Sequence, residues 1–197
     1  MKKYELTEET VTVYGKTLYR IRAVRDFGSV KTGEFGGYIE KEENLSHFGN
    51  AWVSGNAWVF DNARVYDNAW VFGDAKVYGD AWVFGNAWVF GNAKVYDDAW
   101  VFGDAKVYGD AWVSGNAEVF NTMHFFVQGP IGSRNGFITF YRTKDDTVEV
   151  RCGCFSGSLQ EFVNQVEETH GGSRYEKEYK LAAELAKVCI RLEGESR

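Results

Sequence analysis

From Ala51 to Thr122 the chain can be written in lines of six residues, "AWVSGN", "AWVFDN", "ARVYDN", "AWVFGD" and so on, for twelve lines with no insertion and no gap. Strict self-similarity over this length makes the repeat itself the fold. The first position is always Ala, from Ala51 to Ala117, and the third is always Val, from Val53 to Val119. The fifth and sixth are Gly, Asp or Asn until Thr122 closes the series, and these residues tolerate the left-handed backbone of a turn. A strand alternates its faces, so Ala and Val share one side while the second and fourth residues share the other. The second position holds Trp52, Trp58, Trp70, Trp82, Trp88, Trp100 and Trp112, but also Arg64, Lys76, Lys94, Lys106 and Glu118. A dry interior does not accept unpaired charges. Ala and Val therefore face inward, and so thin a core suits a narrow triangular solenoid with small residues at its corners.

This pattern, an aliphatic residue with a small residue two places before it, resembles the hexapeptide-repeat proteins of the LpxA-like superfamily. The resemblance covers roughly residues 45–122. It implies a parallel β-helix of left-handed sense, three hexads to a coil, a homotrimer, and acyl transfer as the activity of many members. At three hexads per coil the twelve make about four coils. One departure is the ring directly after Val, as in Phe60, Tyr66, Phe72 and Tyr78, where the family commonly has Gly or another small residue.

Stacking every third hexad predicts three outer columns: Trp52, Trp70, Trp88 and Lys106; Trp58, Lys76, Lys94 and Trp112; Arg64, Trp82, Trp100 and Glu118. All seven tryptophans are then expected outside, beside ladders of Phe and Tyr, as a candidate binding surface. Such walls exceed the apolar surface a monomer usually shows. The expected covers are sister chains, the chain's own terminal segments, or an unidentified protein partner. The recurrent corner aspartates, such as Asp74, Asp80 and Asp104, read as turn chemistry.

The expected organisation is mainly β: an N-terminal strand cap over residues 1–44, the β-helix over 45–122, and a small α+β domain over 123–197. The segments "LYRIRAVRDF" and "GEFGGYIEKEENLS" together with the hexads are similar to the YdcK-like group of bacterial hexapeptide proteins, whose members carry a transferase label. Arg20, Arg22 and Arg25 are read as a solvated strand face rather than an anion site. After Thr122, "MHFFVQ", "GFITFYR" and "TVEVRCGCF" read as three strands. Capping boxes at Ser158 with Glu161 and Ser173 with Glu176 open two helices. Tyr175, Tyr179, Ala182, Leu185, Ala186 and Cys189 form the apolar stripe of the second. "GPIGSRN" and "CGCF" resemble a module of Gram-positive bacteria and their phages.

The net charge is −6, which argues against a nucleic-acid surface. With no signal peptide and no membrane-length apolar run, the expected location is cytoplasmic. Cys152, Cys154 and Cys189 lack zinc-site spacing; Cys152 and Cys154 are expected to share one strand face in the core. Of the three histidines, His47 occupies a Val position in the degenerate hexad "LSHFGN" and reads as the end of the core, and neither His124 nor His170 completes a catalytic or metal set. Ser133, Arg134 and Asn135 in the glycine-rich "GPIGSRNG" form the second candidate binding site, for a phosphate or carboxylate, against the alternative of a plain strand connection. No cofactor and no metal is called for. The expected function is a non-catalytic, oligomeric scaffold acting by protein–protein contact, phage-related and aimed at a host protein. The alternatives are an acyltransferase and a carbohydrate binder using the aromatic faces.

Overall fold

In the computed structural model, which describes residues 2–192, each hexad forms one short strand at its second and third positions. Three strands precede them, β1 (Tyr4–Val13), β2 (Lys16–Ala23) and β3 (Phe35–Ile39). The hexad strands follow as β4 to β15, from Trp52–Val53 through Glu118–Val119. Strands three hexads apart pair in parallel and in register, Val53 with Val71, Val71 with Val89, and Val89 with Val107. The other two ladders run β5-β8-β11-β14 and β6-β9-β12-β15. The result is a β-solenoid of stacked parallel coils, each rung hydrogen-bonded to the next, as where Trp70 N–H donates to Ala87 O at 2.9 Å and Phe72 N–H to Val89 O at 2.9 Å. Every hexad Ala and Val is fully buried, as the absence of charge from those positions requires.

The stack runs to about five turns. Beyond the hexads, β3 lies parallel to β5 with Tyr38 opposite Trp58, and Leu45 bridges Val65. Part of the N-terminal segment thus continues the ladders as an irregular coil. β1 and β2 then extend one ladder antiparallel beyond β3.

The corners use the fifth and sixth residues differently. From Gly55 to Gly115 the fifth takes the left-handed backbone: Gly85 has φ +68°, and a Cβ there would lie 2.9 Å from Gly103 N. Asp61 and Asp67 adopt the same conformation, and each accepts a bond from the glycine N–H one coil on, at Gly79 and Gly85. The sixth residues build side-chain ladders along the axis, in which Asn50 donates to Asn68, Asn68 to Asn86, and Asn86 to Asp104, at 3.0, 3.3 and 3.1 Å. A carboxylate only accepts, so it suits a position above a donating amide.

A solenoid end leaves backbone groups unpaired. At the first coil, side chains fill that role. Lys3 Nζ donates to Ala51 O at 2.6 Å, and the Tyr4 hydroxyl donates to Leu45 O at 2.7 Å with Glu42 O lying 3.0 Å away. At the last coil the cap is a second sheet, β16 (Phe125–Ile131), β17 (Gly136–Arg142), β18 (Val148–Cys152) and β19 (Phe155–Ser158), antiparallel in that order. Alternation along β17 divides its duties. Ile138 and Phe140 face the core formed with α1 (Leu159–His170) and α2 (Arg174–Cys189), whereas Tyr141 joins the solenoid core. On that solenoid side Thr139 Oγ1 accepts from Trp112 N–H at 3.0 Å, and Arg142 meets Glu118 at 2.6 Å.

Four expectations need correction here. The expected single strand through "TVEVRCGCF" is a hairpin, because Gly153 at φ +59° turns the chain and pairs Cys152 with Phe155. Cys154 therefore sits exposed in the turn rather than beside Cys152 in a core. In α2 the buried positions are Tyr179, Ala182, Ala183 and Ala186, and Leu185 faces out. The capping box at Ser158 and Glu161 is reciprocal. At α2 Ser173 accepts from Glu176 N–H, but Glu176 accepts from Gly172 N–H instead of closing the box.

Candidate functional site

Parallel pairing in register places equivalent rings directly over one another. Phe72 stacks on Phe90 with centroids 4.9 Å apart, Tyr66 on Phe84 at 4.9 Å, Tyr78 on Tyr96 at 5.0 Å, and Trp82 on Trp100 at 5.5 Å. The second-position cations complete the columns. Lys76 Nζ lies 4.2 Å from the Trp58 ring, Lys94 Nζ 4.0 Å from Trp112, and Lys106 Nζ 5.1 Å from Trp88. Trp100 receives Lys144 from the β17–β18 turn at 4.4 Å. The charged second positions do more than mark the outside: they cover ring faces that water would otherwise meet, through cation–π attraction.

The seven tryptophans are therefore not equivalent. Trp52 is buried, which corrects the expectation that every indole is available. Its column lies outside the Ala and Val core, but Phe27 and Tyr4 pack over it edge-on at 5.3 and 6.4 Å. Trp58, Trp70, Trp82, Trp100 and Trp112 are half-buried, and Trp88 is 42% exposed. Trp88, Tyr108 and Lys106 share the outer face of the β4-β7-β10-β13 ladder.

The glycine-rich segment is the connection between β16 and β17. Gly132 is held at φ +72° against Tyr179, whose hydroxyl would sit 1.9 Å from any Cβ there, and its N–H donates to Glu178 at 3.0 Å. An internal carboxylate thus already takes one of the N–H groups that an anion nest would offer. Ser133, Arg134 and Asn135 are exposed at the tip. Ser133 and Arg134 line one rim of a cleft of about 840 Å³ between this sheet, α1, α2 and the last coil. Asn135 instead lines a smaller recess of about 380 Å³ with Leu181 and Leu185. Cys152 faces the large cleft; burial pushes its thiol up, and burial likewise pushes the neighbouring Tyr179 phenol up to about 12. Both are protonated at neutral pH.

His47 and His124 are built into the ends of the stack, whereas His170 closes α1 beside the large cleft, its ring 5.7 Å from that of Tyr179. His47 stacks on Tyr4 at 4.3 Å, accepts from Lys3 N–H through Nδ1, and meets Glu42 through Nε2. His124 is buried edge-on against Phe120 at 4.0 Å, and burial followed by the charge of Arg142 depresses its pKa to about 4. Arg20 and Arg22 pair with Glu9 and Glu5 across β1 and β2, and Arg25 reaches His47 O, so the three do not converge. Among the described residues no cluster of His, Cys, Asp and Glu forms a metal site, and no helix is long and apolar enough to cross a membrane.

The chain matches no family model, and no curated protein is similar to it in sequence. Its fold defines it as a β-solenoid protein carrying a four-stranded sheet and two helices at one end.

Proposed function

We propose that the protein is a non-catalytic scaffold of the left-handed hexapeptide-repeat kind that acts through protein–protein contact, its copies joined through α2 into the homotrimer that the resemblance to the hexapeptide-repeat proteins implies. The observation that carries this reading is the outer stripe of α2. Leu181 and Val188 are each 70% exposed and Leu185 is 47% exposed, at the i, i+4, i+7 spacing of a helix-packing face. The exposed Glu184 and Lys187 flank the stripe and pair with each other at 2.7 Å. A second copy presents the same apolar row with both signs of charge beside it, which is the complement such a face accepts. The solenoid serves as a rigid spacer. Its last coil is bound to the C-terminal unit by the Arg142–Glu118 pair and the Thr139 bond, so the stripe is held in fixed relation to the rod.

The acyl-transfer alternative draws no support from His47 or His124, whose rings are engaged in the end caps. The carbohydrate alternative keeps one candidate surface, the face bearing Trp88 and Tyr108.

Multi-angle light scattering across a wide concentration range tests the proposal. The wild-type mass is expected at three times the chain mass of 22.3 kDa, and Leu181→Glu combined with Leu185→Glu is expected to return it to a single chain. A wild-type mass of one chain at every concentration, or a double variant that assembles like the wild type, overturns it.

A further inference from the structure

The 840 Å³ cleft is lined by different residues from the α2 stripe and raises a separate question. Its size falls within the range of about 300–1,000 Å³ typical of small-molecule sites. Its floor is aromatic: Phe162 packs edge-on against Phe155 at 5.4 Å and against Tyr179 at 5.7 Å. Thr169 and His170 form a polar side, and the exposed Phe137 stands at the mouth.

The charges around it are unequal in how far they are committed. Arg151 donates to Ser114 Oγ at 2.7 Å, lies 3.7 Å from Asp97 and covers the Tyr96 ring. The single carboxylate of the lining, Asp110, accepts from Asn92 at 3.0 Å. Arg134 has neither an ion pair nor a hydrogen bond among the described residues, and it stands at the rim of a hollow whose floor is aromatic. Such a guanidinium offers paired N–H donors to a carboxylate or sulfonate, while the rings below offer a surface for a flat apolar body.

We infer that this cleft is a binding site for an amphipathic organic anion, a planar or aliphatic body seated on Phe155, Phe162 and Tyr179 with its acid group on Arg134. The site does not depend on assembly through α2. Binding also places the ligand beside Cys154, which is exposed and part of the same lining.

Two fluorescent probes of nearly the same shape test the inference: 8-anilinonaphthalene-1-sulfonate and its uncharged relative N-phenyl-1-naphthylamine. Wild-type protein is expected to bind the sulfonate saturably at one per chain and, when saturated, to show slower alkylation of Cys154 by a maleimide. Arg134→Gln is expected to weaken sulfonate binding about tenfold, the effect of losing one charge-assisted contact, and to leave the neutral probe unchanged. Gln165→Trp, placed on an exposed position of α1 that lines the cleft, is expected to exclude both probes without loss of helix content by circular dichroism. The inference is overturned if the wild type binds neither probe, if saturation leaves the Cys154 rate unchanged, or if Arg134→Gln binds the sulfonate as tightly as the wild type.

Discussion

Lys94 holds its ammonium 4.0 Å from the centre of the Trp112 ring one coil further along the stack, on the outer face of the β5-β8-β11-β14 ladder. Hexad spacing alone brings the two together, because eighteen residues are one coil. The lysine stem covers indole while the charge is drawn to the ring face.

Removing that charge while keeping the stem isolates its contribution. Lys94→Met is expected to lower the unfolding free energy by about 1 kcal/mol, within the range for a partly desolvated cation–π pair. The checking measurement is a urea titration followed by tryptophan fluorescence. A variant as stable as the wild type would reduce the pair to a chance of packing.

Corner geometry gives a second prediction. Gly85→Ala places a Cβ at positive φ and 2.9 Å from Gly103 N, so a loss of more than about 1 kcal/mol is expected. Asp67→Gly is expected to change stability by less, since glycine accepts the same backbone and only the bond to Gly85 N–H is lost. Thermal melts of the two variants side by side decide the order.

The N-terminal closure predicts a cost for one oxygen atom. Tyr4→Phe keeps the ring against His47 and Trp52 but leaves Leu45 O without its donor, whereas Glu42 O keeps the Leu45 N–H at 3.3 Å. About 1–3 kcal/mol of destabilisation is expected for a buried acceptor left unpaired. Hydrogen exchange should show the first coil opening more readily while the middle coils keep their protection. Uniform loosening of all coils would contradict the local role.

Two buried bases set the pH profile. His124 is depressed from 6.5 to about 4, so the unfolded chain takes up its proton first as the solution is acidified; stability is present above pH 6.5 and is lost as pH falls toward 4. Lys3 is depressed from 10.5 to about 8 by burial and then by Arg25, so stability rises as pH climbs from 8 toward 10.5. The tyrosines act oppositely. Burial raises Tyr4 and Tyr78, so the folded state holds their protons longer and stability falls above pH 10. Denaturant midpoints are therefore expected to peak in mild alkali, and Lys3→Met should remove the rise above pH 8. A wild-type profile flat from pH 7 to 10 would contradict this assignment.

The solenoid was legible because Ala and Val never vary while their neighbours range from Trp to Lys, and a fixed period converts that contrast directly into register. The columns followed by counting eighteen residues. What the repeat cannot carry is the contact each rung makes with sequence outside it. Nothing in "AWVSGN" distinguishes Trp52, buried under Phe27 and Tyr4, from the half-buried Trp112, whose hexad is the same six residues. The cation over each ring and the Asn50–Asn68–Asn86–Asp104 ladder were present in the same eighteen-residue count, but read singly they look like solvated charge and turn residues. In the C-terminal unit, Gly153 between two cysteines was the available sign of a turn, and alternation carried through it put Cys154 on the wrong side. Leu185 was misplaced because Ala182, Ala183 and Ala186 leave little side chain to define which edge of the α2 stripe is buried.

The two residues of the single strand β11, Lys94 and Val95, lie on opposite sides of the solenoid wall. Val95 is fully buried in the prism and Lys94 lies on its outside, so the unfolding temperatures of Val95→Asp and Lys94→Asp should differ sharply. Val95→Asp is expected to prevent folding or to lower the midpoint by well over about 10 °C, through an unpaired charge in a dry core, while Lys94→Asp is expected to shift it by only a few degrees. Comparable losses at both positions, or a greater loss at Lys94, would contradict the placement of every hexad in the stack.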